Sequence, residues 1–198
     1  MFFVIDSIDG GGSETQGKMV SQALEKEGHK VFLHHFPHYD TAIGKSIREF
    51  LYDHKDLSVE KQFLLYTMQF IFDAEQMKKE SEEGIVIADR YFTTTLVFQT
   101  LQGFSEEKAL EFADMFGVYK PEKIFFLDVA PETAYRWKHG EEKDLNFWEK
   151  DMEFIKRTYS KYLDLAQRQV FAPWSTVIGE RTKQEVCDTI VQEIKGLL

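Results

Sequence analysis

Three segments of the chain consist almost entirely of apolar residues, and stretches with helical spacing of apolar side chains separate them. They are Phe2–Asp6, Gly84–Asp89 and Lys123–Val129. Strands that are apolar on both faces and alternate with helices form parallel sheets, because helices then cover both faces. With two further strands, Lys30–Phe36 and Ser175–Gly179, the pattern predicts an α/β fold with a five-stranded parallel sheet between two layers of helices.

Further segments have the apolar spacing of amphipathic helices. They are Thr15–Glu27, Thr41–Asp53, Ser58–Glu82, Phe92–Gln102, Ser105–Phe116, Pro131–His139, Phe147–Arg168 and Thr182–Leu198. The polar stretch 140–146 interrupts the pattern, and we expect a short lid over about residues 138–148. A chain of 198 residues without repeats or a linker is expected to form a single domain over residues 1–198.

Composition and charge exclude several classes of protein. The chain has 24 Lys and Arg against 34 Asp and Glu, a formal charge of −10, whereas general nucleic-acid binders carry a basic excess. No apolar run approaches the roughly 18–20 residues of a membrane span, and the acidic start is unlike a signal peptide. The one cysteine, Cys187, cannot form an intrachain disulfide, which suits the cytoplasm. We therefore expect a cytoplasmic protein that binds neither nucleic acid nor membranes.

A glycine-rich segment, Ser7–Gln16, joins the first strand to the first helix. Glycines allow backbone N–H groups to turn towards a ligand, and a helix N-terminus attracts anions, so a phosphate-binding loop is expected here. The common pattern G-x-x-x-x-G-K-[ST] is not met, since Ser7, Ser13 and Glu14 stand at its first glycine, its lysine and its hydroxyl residue. Gly12 keeps its place. From the loop alone, a phosphate site and a structural turn that caps a helix both remain open.

The surrounding residues resemble the thymidylate kinase family, in the family's order and along essentially the whole chain. The matching positions are Asp9, Gly10, Gly12, Thr15 and Gln16 in the loop, Phe36-Pro37, Asp89-Arg90-Tyr91, Thr94, Thr95, Phe98, Gln99, the run Leu127–Glu132, Arg136, the segment Asp151–Phe154 and Tyr159. This resemblance implies a P-loop NTPase-type fold, transfer of the γ-phosphate of ATP to dTMP with Mg²⁺, and a homodimer. Small-molecule nucleotides would then be the ligands of the protein.

The resemblance also assigns roles to individual residues. The catalytic positions would be Asp9, Arg90 and Arg136, and Asp89 would assist Mg²⁺ binding indirectly. ATP would be held by the loop residues Gly10, Gly11, Gly12, Ser13, Glu14 and Thr15, and dTMP by Asp9, Phe36, Tyr66, Phe70, Arg90 and Phe98. The residues themselves leave simpler interpretations open. Asp9 could form an Asx turn, Arg90 could pair structurally with Asp89, and the aromatic residues could belong to the core.

Several cations that the family uses are replaced in this chain. Ser13 stands at the loop lysine, Tyr39 at an arginine that holds the monophosphate, Phe70 at an arginine that reads the base, and Leu145-Asn146 at the Asp-Arg pair of the lid. Phosphoryl transfer depends on positioning and on neutralising phosphate charge, so these losses bear directly on activity. Phe70 could stack on a base or fill the space that the arginine leaves.

Glu14 adds a carboxylate next to the expected phosphates, a repulsion of roughly 1–4 kcal/mol for charges ~4 Å apart. Lys18, one helical turn further on, is expected to pair with Glu14 or, alternatively, to replace the missing loop lysine. Three hypotheses follow. The protein is a dTMP kinase that its altered loop impairs, a kinase with a changed base preference, or a non-catalytic thymidylate-kinase-like module for nucleotide binding or protein interaction.

Overall fold

The computed structural model describes residues 1–52, 57–140 and 151–198 of the chain. Its strands are β1 Phe2–Asp6, β2 Val31–His35, β3 Ile85–Asp89, β4 Lys123–Asp128 and β5 Trp174–Ile178. Its helices are α1 Ser13–Lys26, α2 Ala42–Tyr52, α3 Val59–Glu83, α4 Phe92–Leu101, α5 Glu106–Met115, α6 Pro131–His139, α7 Met152–Gln167 and α8 Lys183–Lys195. None of the helices within these ranges has the length and apolar character needed to cross a membrane.

The strands of the described sheet are all parallel and follow the order β2-β3-β1-β4-β5. The central strand β1 is buried along its whole length, and it pairs Val4 with Ala88 of β3 and with Ile124 of β4. Helices α1 and α8 contact each other, α3, α4 and α7 form a second contacting group, and both groups touch the strands. The predicted α/β fold of the P-loop NTPase type, with three layers, is confirmed.

The edge strands differ slightly from the sequence prediction. β2 is one residue shorter at each end than predicted, and β5 begins and ends one residue earlier. Both strands lie at an edge of the sheet, where Leu33 and Ile178 are 42% and 53% exposed. A strand that is only partly covered has no continuous apolar run, so its ends are poorly defined by the sequence pattern.

Two helices begin more than one residue away from the predicted start. Helix α1 begins at Ser13 rather than at Thr15, because Gly12 takes φ 92 and serves as the N-cap. Helix α7 begins at Met152, because the side chain of Asp151 accepts hydrogen bonds from the backbone N–H groups of Glu153 and Phe154 and so caps the helix. The predicted start at Phe147 lies outside the described residues, as does most of the predicted lid.

The strand order brings the carboxyl ends of β1 and β3 side by side, with Ile5 opposite Asp89. From β1 the sheet continues towards β2 on one side and towards β5 on the other. At such a switch point the connections after neighbouring strands diverge and leave a crevice, which is where ligands bind in open α/β sheets. The loop from Ser7 to Gly12 enters α1 at this point.

Candidate functional site

A cavity of about 600 Å³ opens at the switch point between β1 and β3. Its wall comes from the glycine loop, from the segment after β2, and from residues of α2, α3, α4 and α6. The predicted site residues that line it are Asp9, Gly10, Gly12, Ser13, Glu14, Thr15, Phe36, Tyr66, Phe70, Asp89, Arg90 and Phe98. Within the described part of the chain, Gly11 and Arg136 are the predicted site residues that do not line this cavity.

The glycine loop fits closely between the start of α1 and α6. Gly10 has φ +82, and a Cβ atom there would lie 2.4 Å from the carbonyl oxygen of Ala134 in α6. Gly12 has no side chain to cap α1, and the first bond of the helix runs from the N–H of Gln16 to its carbonyl oxygen. The N–H groups before Gln16 therefore have no acceptor within the helix. They can bind an anion together with the positive end of the helix dipole.

Arg90 and Asp9 form an ion pair inside the cavity. The Arg90 Nη2 atom lies 2.5 Å from Asp9 Oδ1, and each side chain is 18% exposed. Arg90 has φ 62, a left-handed backbone conformation that non-glycine residues adopt mainly where function or packing requires it. Burial opposes its charge, but the Asp9 and Asp6 carboxylates outweigh that effect and raise the pKa of Arg90 above its usual value. Asp9 and Arg90 therefore face one cleft, and the partner of Arg90 is Asp9 rather than Asp89.

Asp6 is a buried acid at the end of β1 that the sequence analysis did not select as a site residue. Its carboxylate accepts hydrogen bonds from Thr93 Oγ1 at 2.6 Å, from Thr94 Oγ1 at 3.1 Å and from Tyr162 OH at 2.8 Å. Burial raises the pKa of Asp6, and the nearby Arg90 and these hydroxyl donors act in the opposite direction. Asp6 does not line the cavity and acts on Arg90 through its charge. The sequence feature that could have identified Asp6 is its place as an acidic residue at the end of an apolar strand, which Asp89 shares.

Asp89 lies at the equivalent end of β3 and is 2% exposed. Its Oδ2 atom is 2.5 Å from His35 Nδ1, whereas its buried Oδ1 atom has no hydrogen-bond partner among the described residues. His35 lines the cavity too, and its neighbour His34 points away to Glu80 at 2.6 Å. The described ranges hold no group of three or more His, Cys, Asp or Glu side chains arranged to bind a metal. Asp89 therefore keeps one buried carboxylate oxygen without a described partner at a residue that lines the cavity.

Aromatic side chains form one wall of the cavity. The rings of Phe36 and Phe70 are 5.0 Å apart in an edge-to-face arrangement, and Phe70 lies 4.6 Å from Tyr91. Phe36 and Phe70 are 2% and 3% exposed, so the same residues belong to the core and to the cavity wall. Burial raises the pKa of the Tyr66 hydroxyl, and the charge of Asp9 adds to this effect. The wall provides the flat apolar surface that a nucleotide base requires.

Three cationic side chains line the described cavity, namely Lys18, Arg90 and Lys138. Lys18 Nζ lies 2.7 Å from Glu14 Oε1, so the predicted i,i+4 pair is confirmed. The backbone of Lys138 is close to the glycine loop, since its Cβ would be 3.0 Å from a Cβ at Gly10. In contrast, Arg136 is exposed and donates from Nη2 to Thr133 Oγ1 at 3.1 Å, so its predicted catalytic position is not part of the cavity as described.

Comparisons with known proteins agree with this geometry. The family model described as thymidylate kinase matches residues 5–190. A probable thymidylate kinase of Methanocaldococcus jannaschii is 29% identical over 197 residues, which cover 100% of this chain and 97% of the relative. A probable thymidylate kinase of Thermococcus gammatolerans is 32% identical over 177 residues, covering 84% of this chain and 83% of the relative. The chain therefore belongs to the thymidylate kinase family, as its sequence resemblance predicts.

Proposed function

We propose that the protein transfers the γ-phosphate of ATP to dTMP. The observation that carries this proposal is a single cavity that joins the amide-rich start of α1, the Arg90–Asp9 pair and an aromatic wall. The N–H groups suit a polyphosphate, the ion pair suits the phosphate and sugar of a nucleoside monophosphate, and the aromatic wall suits its base. Family membership supports the same reaction.

The acceptor nucleotide occupies the side of the cavity between α3 and α4. Arg90 holds its phosphate, because a guanidinium binds phosphate oxygens with paired hydrogen bonds. Asp9, already paired with Arg90 at 2.5 Å, accepts a hydrogen bond from the sugar hydroxyl. The base lies against Phe36 and Phe70, with Tyr66 and Phe98 completing the wall.

The donor nucleotide binds at the glycine loop. Backbone N–H groups of Gly10 and of Gly12 to Thr15 hold its phosphates, in the absence of a lysine at position 13, whereas the N–H of Gly11 donates to the carbonyl oxygen of Ile8. Lys138 supplies positive charge from α6, since it lines the cavity against Gly10. Arg136 is a further proposed phosphate ligand, and it has to leave Thr133 to act as one.

Mg²⁺ fits the acidic side of the cavity. The unpartnered Oδ1 atom of Asp89 is the described carboxylate oxygen suited to hold it or one of its water ligands. When bound, Mg²⁺ neutralises phosphate charge. His35 keeps the Asp89 carboxylate oriented through its 2.5 Å contact with Oδ2.

The active form is proposed to be a cytoplasmic homodimer in which residues 1–198 form one domain with a lid at about 138–148. Support for the dimer comes from α3, where Leu64, Met68 and Phe72 are 44%, 40% and 71% exposed. They recur every four residues and so share one face of the helix. An apolar stripe of this kind suits an interface.

A non-catalytic nucleotide-binding role is the second candidate. It is favoured by Ser13, which lacks the charge of a lysine, and by Glu14, whose pairing with Lys18 occupies a cation at the loop. Both candidate functions include nucleotide binding, but only the kinase releases ADP.

The deciding experiment measures coupled ADP release with ATP, Mg²⁺ and each nucleoside monophosphate in turn. The proposal expects release that depends on dTMP and that disappears in Arg90→Met. Calorimetry on the same preparation measures binding of dTMP and ATP separately. Binding of both nucleotides without ADP release would establish the non-catalytic role instead.

A further inference from the structure

Three of the four residues that follow β2 line the cavity, and the remaining one does not. Phe36, Pro37 and Tyr39 belong to the wall, whereas His38 lies outside it. The four residues connect the end of β2 to the start of α2, so the strand ladder does not hold them in place. A connecting segment of this kind is fixed by its contacts with neighbouring elements, and His38 makes several of them.

The backbone of His38 is bound to α3 on one side and to the start of α2 on the other. Its N–H donates to Gln69 Oε1 on α3 at 2.8 Å. Its carbonyl oxygen accepts hydrogen bonds from the N–H of Thr41 at 3.1 Å and from Thr41 Oγ1 at 2.8 Å. Gly44 of α2 packs so closely on this carbonyl group that a Cβ atom at Gly44 would overlap with it. His38 thus joins the segment after β2 to both helices.

The imidazole ring of His38 adds a second connection to α3. His38 Nδ1 lies 2.9 Å from Asp73 Oδ2, and the two side chains are 26% and 29% exposed. An ionised carboxylate only accepts, so Nδ1 is the ring nitrogen that carries the hydrogen. The same ring stacks on Phe36 with 4.3 Å between the centroids. The contact with Asp73 therefore holds the His38 ring against a residue of the cavity wall.

A second histidine pairs with α3 in the same manner but has other support. His34 Nε2 lies 2.6 Å from Glu80 Oε2, and Glu80 is seven residues after Asp73, on the same face of α3. His34 is part of β2, where pairing with Ala88 of β3 fixes its backbone. Neither His34 nor Glu80 lines the described cavity. The two pairs share their chemistry and differ in what else holds the histidine in place.

The charge of Asp73 also acts on the cavity wall. Tyr91 lines the cavity and is 1% exposed. Burial raises the pKa of its hydroxyl, and the charge of Asp73 adds to this effect. Asp73 therefore lies close behind the wall, and its contact with His38 is made at the same place.

We propose that His38 and Asp73 are positioning residues for the acceptor nucleotide. They hold segment 36–39 against α3, so that its three wall residues are in place before dTMP binds. Such preorganisation lowers the ordering cost of binding. The donor nucleotide binds at the glycine loop and does not depend on this segment. The inference rests on the proposed function in one respect, namely that the cavity binds dTMP against this wall.

The test measures binding of dTMP and of ATP separately by calorimetry. His38→Phe keeps a ring that can stack on Phe36 but removes Nδ1, and it should weaken dTMP binding by about tenfold, the scale of one hydrogen bond to a charged group. Binding of ATP should change much less. His38→Asn retains an N–H donor near the position of Nδ1 and should recover most of the dTMP affinity.

Asp73→Leu tests the contact from the other side and should weaken dTMP binding as much as His38→Phe does. The double variant should be no weaker than either single variant, because both changes remove one contact. His34→Phe is the matched control, since it removes the equivalent contact with Glu80 from a residue that the β2 ladder holds. Urea unfolding should show lower stability in His34→Phe and in His38→Phe, whereas only His38→Phe should lose dTMP affinity.

The selective loss of dTMP affinity separates positioning from general damage, because a damaged fold weakens both nucleotides. Equal losses of dTMP and ATP affinity in His38→Phe would overturn the inference, as would equal losses of dTMP affinity in His38→Phe and His34→Phe. Failure of His38→Asn to recover affinity would also overturn it. The expected pattern without ADP release would leave the inference standing and contradict the proposed reaction. ADP release with dTMP but without the pattern would do the reverse, and absence of dTMP binding by the unmodified protein would contradict both.

Discussion

The guanidinium of Arg90 lies 2.5 Å from the carboxylate of Asp9, although 81 positions separate the two residues in the chain. Arg90 follows β3 and Asp9 follows β1, so the pairing of these two strands brings them together. Both side chains are largely buried, and Asp6 lies close enough to contribute to the charge balance of Arg90. The arrangement holds a cation ready in the cavity before a phosphate arrives, which limits the ordering needed on binding.

We predict that Arg90→Met lowers the affinity for dTMP by ~10²-fold or more, because it removes a phosphate ligand and leaves Asp9 buried without its partner. Calorimetry with dTMP measures the loss. Arg157→Met is the control, since Arg157 is exposed and donates to the carbonyl oxygen of Leu101 away from the cavity. Unchanged dTMP binding in Arg90→Met would remove Arg90 from the proposed acceptor site.

The double change Ser13→Lys with Glu14→Ser restores the usual chemistry of the loop and releases Lys18 from its 2.7 Å pair. We expect ATP affinity to rise by about tenfold or more and dTMP-dependent ADP release to rise by ~10²-fold. Calorimetry and a coupled assay on one preparation measure the two quantities. Improved affinity without faster turnover would locate the defect at the acceptor, near Tyr39 and Phe70. Improvement in neither would contradict the phosphate-loop assignment.

Lys138→Met should weaken Mg·ATP binding by about tenfold, because it removes a cation beside the glycine loop. Binding of dTMP should change much less. Lys156→Met provides the comparison, since Lys156 pairs with Glu132 at 3.3 Å and does not line the cavity. Equal effects of the two substitutions would mean that general charge, rather than the position of Lys138, supports ATP binding.

Phe72→Glu should convert a dimer into a monomer, since a charge at a 71% exposed position in the apolar stripe of α3 opposes burial of that face. Light scattering coupled to size-exclusion chromatography measures the mass. Met115→Glu is the control, because Met115 is equally exposed but lies on α5. A protein that is monomeric before substitution would contradict the proposed homodimer.

Glu106 connects α5 with α7 through Arg168, at 2.8 Å, and through Lys161, also at 2.8 Å. The hydrogen bond from Arg168 is the main cause that lowers the pKa of Glu106 to about 2 in the folded protein. A lowered carboxyl pKa stabilises the fold fully above the unfolded pKa, about 4.5, and this stability is lost as pH falls towards 2.

Glu106→Gln should therefore lower the free energy of unfolding at pH 7 and reduce its decline between pH 5 and pH 2, values that bracket the titration. Urea unfolding at several pH values measures both effects. Glu107→Gln, at an exposed neighbouring position, should leave the curve unchanged. A decline as steep in Glu106→Gln as in the unmodified protein would show that other carboxylates govern acid stability.

The interior of the fold is readable from the sequence, because β1, β3 and β4 are covered on both faces and keep continuous apolar runs. The edge strands β2 and β5 are less well defined for the opposite reason. Within the site, the positions of Asp9 after β1 and of Asp89 at the end of β3 follow from the order of elements and the family resemblance. The hydrogen bonds that join Gln62 to Leu57 and to Gln99 do not, because they depend on how α3 packs against α4. Arg136 matched by sequence, yet its side chain follows α6 away from the cavity.

The hydrogen bond between Asp6 and Tyr162 joins positions that are 156 residues apart. During synthesis the first strand leaves the ribosome early, whereas the hydroxyl that completes the surroundings of its last residue follows only when most of the chain has been made. Contacts of such long range are slow to form, since the chain between them must first be ordered. The hydrogen bonds around Asp6 can therefore be completed only after α7 has been made, and an N-terminal fragment that ends before α7 would contain the glycine loop without them.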